Sequence, residues 1–230
     1  MARGFVLAFL LALGWPLARA ERPKPAALEL PITVYVFNSA SVPPRHLIRA
    51  ETLAARIFGK VGIKVTWVAG LTARRADDPP VVEKWNPSNL LLRIRESSTV
   101  RGRGINPAAV GFCLSMEKNE AVVLFDAVQN RAASLNVDPA IPLGVTMTHE
   151  MGHLLLKSVP HSLAGVMKAR WLAEDLTAAE GGTLAFTREE GNSMRNQLLK
   201  LKDTDPLGSN VGLAARTNTQ QNQANMPARY

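Results

Sequence analysis

The chain contains four histidines, and three of them fall in the stretch "HEMGHLLLKSVPHS" from His149 to Ser162. His149 and His153 stand four residues apart with Glu150 between them, and His161 follows Pro160, eight residues after His153. Imidazole is the commonest metal-ligating side chain, and a carboxylate beside it can serve as a base. Residues of these types at this spacing point to water activated at a bound metal ion. On a helix at 100° per residue, His149 and His153 lie within about 40° of each other and one turn apart, so both can reach one ion. Glu150 stands about 100° round from His149, beside the pair, where it can touch an activated water without occupying the metal. This is the mechanical content of H-E-x-x-H, and zinc is the ion such ligands most often hold.

The element that must carry these residues is a helix predicted over 142–157. Met147, Met151, Leu154 and Leu155 point to the side opposite the histidines, while Val145, Gly152 and Leu156 flank them. Almost no face is left for water, so the helix is expected to be buried all round. Two neutral imidazoles and a carboxylate on such a helix need partners, and a metal supplies one. A site with two histidines takes a third protein ligand and keeps a fourth position open. Pro160 blocks continuation of the helix. Lys157, Ser158 and Val159 are therefore expected to turn the chain back, bringing His161 into place as that ligand.

Around this helix the pattern alternates between strands and helices. "PITVYVFN" (31–38), "IKVTWV" (63–68) and "NLLLRIRE" (89–96) read as strands from their β-branched and alternating residues. "AVGFCLS" (109–115) reads as a short strand at a sheet edge, and "EAVVLFDAV" (120–128) as a fifth strand. Pro43-Pro44 opens a helix with Leu47, Ala50, Ala54, Ile57 and Phe58 on one face, ended by Gly59 and Gly62. A last helix is predicted over 186–201, with Thr187 as N-cap and Glu190 closing a capping box.

The ends of the chain have a different character. "MARGFVLAFLLALGWPLARA" (1–20) has a basic start, a short apolar run and an Ala18-Arg19-Ala20 ending, which is the pattern of a secretory signal. The run is too short for a stable membrane span. The mature chain is expected to begin near Glu21 and to be secreted or periplasmic. Residues 21–202 form one domain, and the polar segment 203–230 lacks the apolar content to fold. Cys113 is the chain's one cysteine, so no internal disulfide supports the fold. The formal charge is +8, with Arg74, Arg75, Lys84, Arg93, Arg95, Arg101 and Arg103 crowded in one region. With no aromatic interleaving and no nucleic-acid module signature, this reads as a solvated basic face rather than a nucleic-acid interface.

The helix motif together with Gly165-Val166-Met167 resembles the metzincin branch of the zincin metallopeptidases, in particular small secreted bacterial forms. That family carries H-E-x-x-H-x-x-G-x-x-H and a later tight turn that sets a methionine beneath the zinc. His149, Glu150 and His153 match the helix part, and Met167 matches the methionine turn. The family's glycine position holds Leu156, its third histidine position holds Val159, and His161 comes two residues later. A gluzincin-like alternative would use Glu174 or Asp175 as third ligand. The resemblance implies an α+β, zincin-like fold: a mixed twisted sheet of four to five strands, a backing helix, a buried active-site helix and a small C-terminal helical part. It also implies a zinc endopeptidase acting on peptide or protein substrates, as a monomer, with His149, His153 and His161 on Zn²⁺ and Glu150 as general base. Two other readings are a non-catalytic exported zincin-fold binding protein and a zinc hydrolase of non-peptide substrates. Cys113, on the edge strand, is a candidate to approach the metal and block it, or a small buried core residue.

Overall fold

A computed structural model describes residues 29–69, 86, 88–100 and 104–204. The expected secretory signal and the residues that follow it up to 28, the polar segment from 205 and the cluster Arg74, Arg75, Lys84, Arg101 and Arg103 lie outside the described residues. The architecture is α+β, a five-stranded mixed sheet with five helices. Strand β1 (Leu30–Asn38) leads through helix α1 (Pro44–Gly59) to β2 (Ile63–Ala69). Strand β3 (Asn89–Arg95), a short 3-10 turn (Ser97–Val100), β4 (Gly111–Ser115) and β5 (Glu120–Leu124) follow. The order across the sheet is β2-β1-β3-β5-β4. The β1–β2, β1–β3 and β3–β5 pairs are parallel, and only β4 runs antiparallel, against β5.

This order explains the burial. Central β3 is buried at every residue, and β5 likewise. Edge strand β4 is only half covered, and its register against β5 shifts between Cys113 and Ser115. Arg93 and Arg95, expected on a solvated basic face, are each 6% exposed. The reason is positional: both faces of a central strand are covered, whatever its alternation suggests. Arg93 is ion-paired with Glu120 of neighbouring β5 and stacks over the Phe37 ring at 5.5 Å. A buried cation needs such partners.

The fifth strand is shorter than expected. It stops at Leu124, and Phe125–Leu135 is a helix, α2. Phe125, Val128 and Ala132 are its buried face. Asp126 in its first turn accepts from the Ser97 backbone N–H at 2.9 Å and hydroxyl at 2.8 Å, and Asn136 in the left-handed region ends it. Helix α3 (Ala140–Leu156) is buried along its length, except for half-buried Leu156. Its buried hydroxyls stay satisfied: Thr146 donates to the Pro142 carbonyl at 2.8 Å and Thr148 to that of Gly144 at 2.7 Å. Helix α4 (Ala173–Glu180) and helix α5 (Arg188–Thr204) complete the fold. The capping box of α5 is present, with Thr187 N–H on Glu190 Oε2 at 2.8 Å and Glu190 N–H on Thr187 Oγ1 at 3.2 Å. No helix among the described residues is long and apolar enough to cross a membrane.

Candidate metal centre

Helix α3 ends at Leu156, three residues after His153. Lys157 adopts φ 51°, ψ 40°, and its N–H bonds the His153 carbonyl, a left-handed cap that reverses the chain. Its ammonium reaches over to the β4–β5 turn, donating to the Met116 carbonyl at 2.7 Å and to Asn119 Oδ1. The returning segment is tied back in three places. Ser162 N–H bonds the Met167 carbonyl at 2.9 Å, Val166 N–H bonds that of Ala185 at 3.0 Å, and the Ser162 hydroxyl bonds Glu190 Oε1. Gly165 turns with φ +72°, where a Cβ would lie 2.5 Å from the Ala185 oxygen. The result brings one ligand atom each from His149, His153 and His161 within 4.8 Å of one another. Among the described residues this is the group that could hold a metal ion. Glu174 is exposed and outside it, and Asp175 is engaged with the Lys168 ammonium at 2.6 Å and Leu172 N–H at 2.8 Å.

The hydrogen bonds fix which nitrogen faces the centre. His149 Nδ1 lies 2.9 Å from the Val166 carbonyl and His153 Nδ1 lies 2.7 Å from that of Ser158. A carbonyl oxygen only accepts, so each Nδ1 carries the proton and each Nε2 is left with a lone pair. The two Nε2 atoms are 3.0 Å apart. Bare nitrogens converging this closely suit a shared cation: zinc bonded at about 2.0–2.1 Å in a tetrahedron sets its ligands only a little over about 3 Å apart. His161 completes the set from the exposed side, its ring 5.1 Å from that of His149 and 5.0 Å from that of His153.

Burial tunes the same groups. It pulls His149 down to about 4, with the His153 and His161 imidazoles adding to the effect against the Val166 hydrogen bond. His153 is lowered too, chiefly by burial. The Nε2 of a neutral imidazole protonated at Nδ1 has no proton for a metal to displace. Glu150 is 5% exposed, and burial pushes its carboxyl up to about 8. It packs against Gly111, where a Cβ would lie 2.8 Å from its Oε1. Beside it on the same strand face, Cys113 Sγ is 3.8 Å from Oε2. The sequence made Cys113 a candidate to approach the metal, but the thiol faces Glu150 and stands outside the imidazole cluster. Burial and the neighbouring carboxylate push that thiol up to about 12.

Met167, 1% exposed, lies beneath α3, its sulfur against the Cα of Gly152. Trp171 is tied directly to the site. Its indole N–H donates at 3.0 Å to the same Val166 carbonyl that holds His149, and its ring meets His149 edge-on at 5.1 Å. Sequence reasoning missed Gly111, the Ser162–Glu190 clamp and the cleft arginines Arg131 and Arg170. The clamp alone left a signal, because Glu190 was already legible as a capping residue. A cleft of about 680 Å³ opens over the centre, walled by β4, α2, the three histidines and residues 169–171.

No protein-family model matches the chain, and no curated protein matches it. Among solved structures, the chain is similar to a zinc-dependent peptidase from Methanocorpusculum labreanum (strain Z). The two share 14% identity over 72% of this chain and 99% of that one, with a TM-score of 0.43. At that level the likeness carries no weight for function, which rests on the geometry of the site.

Proposed function

We propose that this protein is an exported zinc-dependent metallopeptidase, with His149, His153 and His161 as ligands and Glu150 as general base. The observation that carries the proposal is the pair of Nδ1–carbonyl bonds that turns two bare Nε2 atoms toward each other, with His161 closing the set. Zinc bound there supplies Lewis acidity, which activates water and polarises a carbonyl oxygen. Glu150 is the proton carrier. Its raised affinity for a proton lets a carboxylate oxygen take one from water and release it to a leaving nitrogen. A purely structural centre has no use for a buried carboxylate at that position. Gly111 and Cys113 hold the carboxylate from the strand side, and the open cleft along edge strand β4 gives an extended peptide access. The pattern of residues 1–20 supports export.

The test is metal content and peptide hydrolysis in three variants. His161→Ala should bind zinc far more weakly while remaining folded, and Glu174→Ala should bind it normally. Glu150→Gln should keep zinc and lose turnover. Stoichiometric zinc with no hydrolysis of any member of a broad peptide library would instead make the protein a binding module.

A further inference from the structure

The proposed chemistry does not use the charge of the cleft. Two arginines line it, Arg131 from α2 and Arg170 just ahead of Trp171. The acidic side chain of the wall is Glu150, which is buried at its floor. Neither arginine is ion-paired among the described residues. Arg131 is half-buried and spends one of its five N–H donors on the Trp171 carbonyl, so its head group lies against the backbone of the residue that follows Arg170. Trp171 in turn meets His149 edge-on, and the cationic wall stands one side chain away from the imidazole cluster. Two arginines lining one concave, partly apolar cleft whose acidic residue is buried give that cleft a positive potential, and a guanidinium fork matches a carboxylate in shape.

We propose that Arg131 and Arg170 form a carboxylate-recognition subsite, selecting acidic peptide segments for the metal centre. The proposal rests on the metallopeptidase reading for what happens to the peptide, but not for its binding. The carboxylate has two possible sources, an aspartate or glutamate side chain or the free end of a peptide. Arg131 also clamps Trp171, so the informative variant is Arg170→Gln, at an exposed position.

The test measures binding by calorimetry on zinc-loaded protein carrying Glu150→Gln, which leaves peptides intact. Three sets of pentapeptides serve as probes: end-blocked with one glutamate scanned through the positions, the same with glutamine, and a neutral set with a free carboxyl end. A charge-assisted contact at a partly exposed site should favour an acidic set about tenfold over the glutamine set. The advantage should shrink at high salt and largely disappear in Arg170→Gln. The set that gains identifies the source of the carboxylate. Equal affinities, no detectable binding of either acidic set, or an advantage that survives Arg170→Gln overturns the proposal. Wild-type protein that cleaves glutamate and glutamine peptides equally would retain the metallopeptidase reading and lose this one. Protein that cleaves nothing but still prefers the acidic peptides would do the reverse.

Discussion

Gly152 sits between the two zinc-candidate histidines of α3 and the methionine beneath them, and Gly152→Ala tests that floor. Two effects oppose each other. Alanine in a helix interior gains about 1 kcal/mol over glycine. The added methyl, however, would lie 2.6 Å from Met167 Sδ and 3.0 Å from Phe186 Cε1. Ordinary contacts are about 3.5–4.0 Å, so the thioether must retreat by roughly 1 Å in a filled core. Overpacking of this kind costs about 1–3 kcal/mol. The clash should win narrowly, with a net loss of about 1 kcal/mol, or a fall of about 2–4 °C in Tm for a domain of this size. The assay is thermal unfolding of metal-free protein in two backgrounds. Met167→Ala removes the closest clash and opens space into which the Phe186 ring can give way, so Gly152→Ala should then be near neutral or stabilising. The coupling between the two changes should be on the order of 1 kcal/mol. If Gly152→Ala stabilises by the full helix-propensity gain in both backgrounds, Met167 does not lie under Gly152 and the floor is misassigned.

Three further outcomes follow from the same geometry. Ser162→Ala and Glu190→Ala should each weaken zinc binding about tenfold in competition with a chelator, because they release the segment that carries His161. Thr187→Ala, which loses only a capping hydroxyl, should leave metal affinity intact. Glu120→Ala strips the carboxylate from buried Arg93 and should cost about 3 kcal/mol or more in urea unfolding. In metal-free protein, Glu150 raised to about 8 keeps a proton that the unfolded chain gives up from about 4.5, so stability falls as pH rises across that interval. His149, lowered to about 4, works the other way below 6.5, where only the unfolded chain takes up the proton. Stability should therefore decline from pH 6.5 to 8 in wild type, and the decline should be absent in Glu150→Gln.

What could be read from the sequence follows how local each feature is. The three histidines and Glu150 lie within 149–161, on one helix and the turn after it, so spacing alone could propose their meeting. Pro160 dictates the reversal and Lys157 executes it. Strand β3 shows the opposite case. Its alternation is the same whether its second face meets water or protein, and only its central place between β1 and β5 buries Arg93 and Arg95. Helix α2 was hidden because the apolar run of β5 continues without a break into Phe125. The change of period, through Val128 and Ala132, lies beyond the point where the strand reading looked sufficient.

The site itself divides along the same line. Side chains announce themselves in a sequence, and backbone acceptors do not. The carbonyls of Val166 and Ser158 decide which nitrogens of His149 and His153 face each other, yet nothing in their residue types marks them. Their positions are set by turns: Gly165 in the left-handed region places Val166, and Lys157 in the same region places Ser158. The two residues by which His161 falls later than in the metzincin pattern therefore need not disturb the centre. The cap at Lys157 fixes the exit from α3, Ser162 is clamped by Glu190 and by the Met167 carbonyl, and the added length lies between those two anchors. His161 is presented by the anchors on either side of it, which is why a longer loop still delivers its imidazole to the other two.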